Sequence, residues 1–337
     1  MTATALPAGP RTPAALQAAR WVLRPIAFME ECAHRYGDAF TIEIGTAGKF
    51  VFLTHPDAVK EVFTGDPDVL HAGEANAILE PVVGSSSVLL LDGPRHMRHR
   101  RLMLPPLHGE RMQRYGELMS KIAHDEIDSW PGDATLEVVP RMRAVTLEVI
   151  MRTVFGVREA DRLDRLRSAL SAMIDQTGSA LRLFAVATMG PERFARQRWT
   201  GFPAAMERVD ALLLDEVRRR RDEPDLADRE DILSLLLSAR DEDGEGLSDG
   251  ELRDELVTLL VAGHETTATA LSWALERLVR HPEALRRLQD EVEGGEEAYV
   301  DAVVKETLRL RPVLPIVNRR LTAPFEVAGH ALPAGVN

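Results

Sequence analysis

The chain has 337 residues, with 41 Lys and Arg against 53 Asp and Glu, a net charge of −12. That length allows one large domain or two at roughly 150 residues each, and 45% hydrophobic residues are enough for a sizeable core. The acidic balance argues against non-specific binding to nucleic acid or to an anionic membrane. The one cysteine, Cys32, excludes a disulfide framework within the chain.

Residues 1–24 read as an arm punctuated by Pro7, Pro10 and Pro13, ahead of a domain over 25–337. It lacks the apolar stretch of a signal peptide, which makes the cytoplasm the default location. A helical pattern over 26–36 leads into two alternating runs, 39–44 and 49–54, around a Gly-containing turn: a β-hairpin. Pro56 suits the first turn of a helix to Phe63. Residues 65–92 carry Gly, Pro and Ser with little periodicity and read as a long loop region. Helical patterns follow over 94–104, 108–129, 140–155, 158–177, 203–222 and 228–239. Ser248 with Glu251 forms a capping box. It opens a helix that need not stop before Arg280, about 48 Å at about 1.5 Å per residue. Its most apolar run, 256–263, is far short of the roughly 20 residues of a membrane span. Helices over 282–293 and 296–311 and short strands over 325–336 complete a mainly α chain with a small β part.

Several motifs fail on counting. His264-Glu265 begins a zinc-protease pattern, but Ala268 stands where the second His is needed. Asp241, Asp243 and Glu245 suggest a calcium loop, but position twelve is Leu252. The 84–88 segment lacks the closing Gly of a nucleophile elbow.

What survives is a set of three features. The long helix has Ala262-Gly263-His264-Glu265-Thr266-Thr267 at its centre. An interior Gly costs about 1 kcal/mol relative to Ala, in exchange for close approach to the backbone. Thr266 can turn its hydroxyl onto the Ala262 carbonyl and open the helix. Glu265 places a carboxylate in an apolar stretch. The plainer alternative is a packing Gly beside a surface Glu. Second, Glu306 and Arg309 share one helix face. Third, His96 and Arg100, at i and i+4, lie among Arg95, Arg98 and Arg101.

In this order, the basic HxxxR helix, AGHETT in a long helix, and ETLRLRP ending at Pro312 resemble the cytochrome P-450 superfamily of heme-thiolate monooxygenases, from about Arg24 to the last residue. The lack of a membrane anchor resembles a soluble bacterial member. The resemblance implies heme b as cofactor. Ala262 and Gly263 would face it, Gly263 leaving room for dioxygen. Thr266 would hydrogen-bond the dioxygen and Glu265 would pass protons from solvent, the two catalytic positions. His96, Arg100 and Arg319 would bind heme propionates, with Arg320 the alternative to Arg319. Glu306 and Arg309 would be structural. The 66–92 loop, the 170–200 region and 255–267 would contact a small apolar substrate. A ferredoxin- or flavodoxin-type electron donor would dock near Arg95, Arg98 and Arg101. A monomer is expected.

The family's axial Cys thiolate sits in a Gly-rich loop well after the ExxR helix. It is expected beyond residue 337, so no metal ligand is assigned within the chain and the fold is expected to be incomplete. Cys32 reads as a small core thiol. Two functions follow: a heme monooxygenase, inactive as this chain alone, or a non-catalytic helical scaffold or partner-binding remnant of one.

Overall fold

The structure, a computed structural model, describes residues 6–132, 135–156, 160–175 and 201–337, together with positions 190, 193, 196 and 197. The helices are α1 (Ala14–Leu23), α2 (Pro25–Tyr36), α3 (Pro56–Thr64), α4 (Ala72–Ala75), α5 (Glu80–Val83), α6 (Gly93–Met103), α7 (Glu110–Asp128), α8 (Val138–Thr153), α9 (Ala160–Asp175), α10 (Phe202–Asp222), α11 (Ile232–Ser238), α12 (Asp249–Gly263), α13 (Glu265–Arg280), α14 (Pro282–Gly294) and α15 (Ala298–Leu310). The strands are β1 (Ala39–Ile44), β2 (Gly48–Leu53), β3 (Leu70–His71), β4 (Arg320–Leu321), β5 (Phe325–Val327) and β6 (His330–Leu332), paired antiparallel as β1–β2, β3–β4 and β5–β6.

The expected hairpin forms in full register, from Ala39 opposite Leu53 to Ile44 opposite Gly48. Its period of two buries Phe40, Ile42 and Ile44 on one face. Those residues meet Ala18, Phe28 and Cys32, so Cys32 is a buried core thiol, and burial pushes its ionisation up. The region read as an arm contains a helix, α1. Its Ala18 packs on β1, and Gln17 accepts from the Glu43 amide and donates to the Pro10 and Thr12 carbonyls. The prolines end at Pro13, which leaves the Ala-rich 14–23 stretch free to be helical. The 65–92 region is less irregular than its sequence suggests. It holds β3, α4 and α5, and β3 pairs with β4 far along the chain.

The main core gathers apolar faces of α8, α9, α10, α11 and α12. α10 presents Met206, Val209, Leu213 and Val217 at helical spacing. The next turn of that stripe is not apolar. It is Arg220, 1% exposed, donating to Glu216 (2.8 Å), Ser234 (2.9 Å) and the Phe155 carbonyl (2.7 Å), and paired with Asp231. Asp231 also caps α11 through the Ser234 amide at 3.0 Å. The network therefore staples the end of α8, α10 and α11 at one point.

The long helix is not continuous. α12 begins at the expected capping box, with Ser248 accepting from the Glu251 amide and Glu251 from the Ser248 amide. It ends at Gly263, and α13 restarts at Glu265 after a one-residue break at His264 (φ −80°, ψ −71°).

Candidate functional site

The break lies where the sequence places its unusual residues. The Thr266 hydroxyl donates to the Ala262 carbonyl, whose helical partner would be the Thr266 amide. Each of the three residues at the break is held by α8. Glu265 pairs with Arg143: Oε2 accepts from Nη2 at 3.0 Å, and Oε1 lies 2.9 Å from Nε. His264 Nδ1 meets the Thr146 hydroxyl at 2.8 Å. A Cβ on Gly263 would lie 2.9 Å from Ile150 Cδ1. Residues 143, 146 and 150 lie on one face of α8, so one helix face grips three successive residues. The Gly263 contact supports the packing alternative for that residue. Glu265 is half-exposed, while Ala262 and Thr267 are exposed.

His264 is buried, and its burial pushes the imidazole below its ordinary value, with Glu265 opposing and Arg143 adding to the fall. The unfolded chain then takes up a proton first as pH falls. The stability tied to neutral His264 is present above the ordinary histidine value of about 6.5 and is lost as pH drops below it. We expect His264→Gln to lose less urea midpoint between pH 7.5 and pH 5.5 than the parent chain. An equal loss in both would show that His264 does not titrate on unfolding.

The second half of the site is α6. His96 is half-buried, and its Nδ1–H donates to the Val88 carbonyl at 3.1 Å. Arg100, on the same face, is exposed and has no ion pair among the described residues. Arg95 is exposed and likewise unpaired among them, and Arg101 pairs with Glu242 at 2.8 Å on the surface. Arg98 differs from the expectation of a free docking cation. It turns inward to Asp241 (2.6 Å), Glu251 (3.4 Å) and the Gly246 carbonyl (2.9 Å). The acidic turn at 241–246 supplies the carboxylate and carbonyl that withdraw it.

Sequence reasoning missed the residues beneath α6. His99 is 1% exposed, with Nδ1 2.7 Å from Glu255 Oε1 and Nε2 3.2 Å from Glu251 Oε1. Glu255 is 0% exposed. Burial pushes its carboxyl above the usual range, opposed by hydrogen bonds from His99 and the Val88 amide. His99 stands one position before Arg100, about 100° around the helix from it, and so can turn into the core while Arg100 stays exposed.

Arg319 lies over the Phe63 ring at 5.6 Å and donates to the Asn318 carbonyl at 2.8 Å. Arg320 stands 3.8 Å from Glu74 and 3.5 Å from Asn337 Oδ1. Both line a cavity of about 1130 Å³ between the β1–β2 hairpin, residues 74–78 and residues 314–321. Among the described residues of the three segments expected to contact substrate, those of the 66–92 loop reach this cavity. The 255–267 segment does not line it, and most of 170–200 lies outside the described residues. Asn337 donates to the Lys49 carbonyl and accepts from the Val51 amide, a parallel pairing pattern on the outer edge of β2. Glu306 and Arg309 form the expected pair, bidentate at 2.7 Å, but 55% and 66% exposed. Among the described residues no His/Cys/Asp/Glu group could hold a metal ion, and no helix is long and apolar enough to cross a membrane.

The family model described as Cytochrome P-450 matches residues 7–337. The chain belongs to the cytochrome P-450 family. It is 44% identical over 337 residues to cytochrome P-450 135B1 of Mycobacterium tuberculosis, covering 98% of this chain and 71% of that protein. It is 37% identical over 333 residues to cytochrome P-450 135A1 of the same organism, covering 98% of this chain and 73% of that one. Among solved structures it is similar to retinoic acid-bound cyanobacterial CYP120A1, with a TM-score of 0.83 at 22% identity over 99% of this chain and 76% of that one. The cytochrome P450DA heme domain gives 0.79 at 21%, again over 76% of that chain. The fold of this chain is thus an incomplete P-450 fold. Members of the family are heme-dependent oxidoreductases that incorporate oxygen. The donor set here suits a heme's carboxylates: His96 and Arg100 on one helix face, Arg100 without an internal anion, and Arg319 stacked but with no ion pair among the described residues.

Proposed function

We propose that the chain is the greater part of a monooxygenase that inserts one atom of dioxygen into a small apolar substrate, with electrons from a ferredoxin- or flavodoxin-type donor. The observation that carries this reading is the opened helix centre, where Thr266 is tied to Ala262 and Glu265 stands at the adjacent position. Heme b, when bound, supplies the iron at which dioxygen is reduced. Thr266 spends its proton on the Ala262 carbonyl, which leaves its oxygen lone pairs to accept a hydrogen bond and hold a donor in place. Glu265, half-exposed beside Arg143, is the group through which protons enter from solvent.

His96, Arg100 and Arg319 hold the propionates. With Nδ1–H already given to Val88, His96 can donate to a carboxylate only through Nε2, in the imidazolium form. Arg95 and Arg101 carry the donor-docking reading. Arg98 is too well paired internally to add to it.

A second reading, a non-catalytic scaffold, draws on the exposed apolar side chains of α13–α15 and the segment after them, including Trp273, Val304, Leu308 and Leu314, and on the exposed Glu306–Arg309 pair. Hemin titration of the 337-residue chain separates the two. Under the first reading hemin binds, and Arg100→Ala weakens it about tenfold, since a charge-assisted hydrogen bond contributes about 1.5–3 kcal/mol. Cys32→Ser leaves the spectrum unchanged, because Cys32 is enclosed in the N-terminal core. The ferrous–carbonyl form lacks the red-shifted band of thiolate ligation. No hemin binding, or binding indifferent to Arg100, favours the scaffold.

A further inference from the structure

The loop before α6 is fastened to α12 through a sequence of buried groups. Asp254 Oδ2 accepts from the Ser86 amide at 2.9 Å. The Thr258 and Ser87 hydroxyls are hydrogen-bonded to each other at 2.6 Å. Glu255 Oε1 accepts from the Val88 amide at 3.0 Å and also from His99 Nδ1 at 2.7 Å. The loop is shaped for this approach. Gly84 has φ +83° and ψ 159°, a region open essentially to Gly alone, and a Cβ there would sit 2.0 Å from Asp254 Oδ1.

The backbone of Val88 is therefore held at both ends. Its amide is held by Glu255, and its carbonyl accepts from His96. Glu255 reaches α6 twice, through His99 directly and through the backbone of Val88 to His96. We propose that Glu255 is a positioning residue: its Oε1 fixes Val88 and His99 together, and so sets the direction in which α6 presents His96 and Arg100. The inference rests on the reading of those two residues as carboxylate-binding donors.

The chemistry fits one oxygen doing this. A carboxylate oxygen has lone pairs for two donors, and the site is sealed from water, since Glu255 is 0% exposed and His99 1%. The partner oxygen Oε2 has no hydrogen-bond partner among the described residues. Leaving a buried group half-satisfied is costly, so a carboxyl at this position needs a reason beyond packing. His99 itself touches a carboxylate at each ring nitrogen, so that group of three retains a proton either on the ring or on a carboxyl. Around it stand Asp254 and Glu251 from α12, Arg98 and His96 from α6, and Arg253, which ties Asp254 to Asp210 of α10.

The test compares Glu255→Gln with Glu255→Leu in the full chain. Glutamine keeps a carbonyl oxygen in the Oε1 position and can accept from both donors. Leucine cannot. Hydrogen exchange is read at the amides of 86–88 and, as an internal reference, at those of 232–238, which belong to the separate Arg220 network. Glu255→Leu should raise exchange at 86–88 by tenfold or more while 232–238 stays within twofold. Glu255→Gln should stay near the parent at both. Hemin affinity should fall about tenfold in the leucine variant and be largely restored in the glutamine variant. Unchanged exchange at 86–88 in Glu255→Leu overturns the proposal. So does a uniform rise across both regions, which marks a general loss of stability, or a glutamine variant as exchanged as the leucine one. If the parent chain binds no hemin, the propionate reading fails on its own while the exchange data still decide the role of Glu255.

Discussion

Replacing Arg220 by alanine is expected to destabilise the chain by about 3–5 kcal/mol, the cost of breaking a buried ion pair by removing one partner. The guanidinium is 1% exposed and satisfies Asp231, Glu216, Ser234 and the Phe155 carbonyl at once. Its removal leaves two carboxylates, 8% and 6% exposed at their side chains, competing for Arg229 and Arg162. Against a total stability of about 5–15 kcal/mol, that loss is large. It is read as a lower urea midpoint at unchanged slope. Arg218→Ala and Arg219→Ala, whose side chains among the described residues bond within the exposed turn of α10, should each change stability by less than about 0.5 kcal/mol. A loss below about 1 kcal/mol in Arg220→Ala would mean that Asp231 and Glu216 find water or other partners, and the network would not be what joins α8, α10 and α11.

Arg220 also marks where the sequence is readable and where it is not. Four consecutive arginines at 218–221 look like a solvated basic patch. The buried stripe Met206, Val209, Leu213, Val217 steps by three or four and lands next on Arg220, so periodicity alone could have singled it out. Element types were legible because capping and period agree locally: the hairpin register, the Ser248–Glu251 box and Pro56 at the start of α3 all follow from adjacent residues. What was not legible depends on residues far apart in the chain. Nothing near Arg98 predicts that Asp241 and Gly246 withdraw it. Glu255 follows Arg253 and Asp254 and reads as one more charged residue of the helix start; only the fold puts His99 and Val88 beside it. The break at His264 was half-visible. Gly263 and Thr266 announced an opening, while the α8 face that holds it, Arg143, Thr146 and Ile150, is more than a hundred residues away.

That opening gives the second large effect. Thr266→Ala should leave the fold intact and remove the function of the helix centre. The hydroxyl is half-buried and, among the described residues, bonds only to the Ala262 carbonyl across the break. A Thr that back-bonds slightly destabilises and bends a helix, and Ala is the better helix former by a few tenths of a kcal/mol. The apo variant should therefore be as stable as the parent or slightly more so, with slower amide exchange at 266–268 as the break tightens. In heme-loaded protein that carries its axial ligand, the consequence is the reverse. With no hydroxyl to hold a proton donor in place, reduced oxygen should leave as hydrogen peroxide, and product formed per oxygen consumed should fall about tenfold. That is less than the roughly 10²–10⁴-fold contribution of a positioned acid–base group, because water can enter the space of the lost hydroxyl and replace it in part. Glu265→Gln should slow turnover without the same rise in peroxide, since it removes the entry point for protons and leaves Thr266 in place. Hemin affinity should be unchanged in both variants, because neither residue belongs to the propionate set. A Thr266→Ala enzyme that couples oxygen to product as the parent does would remove Thr266 from proton delivery, and the break would then be a packing feature built around Gly263 and Ile150.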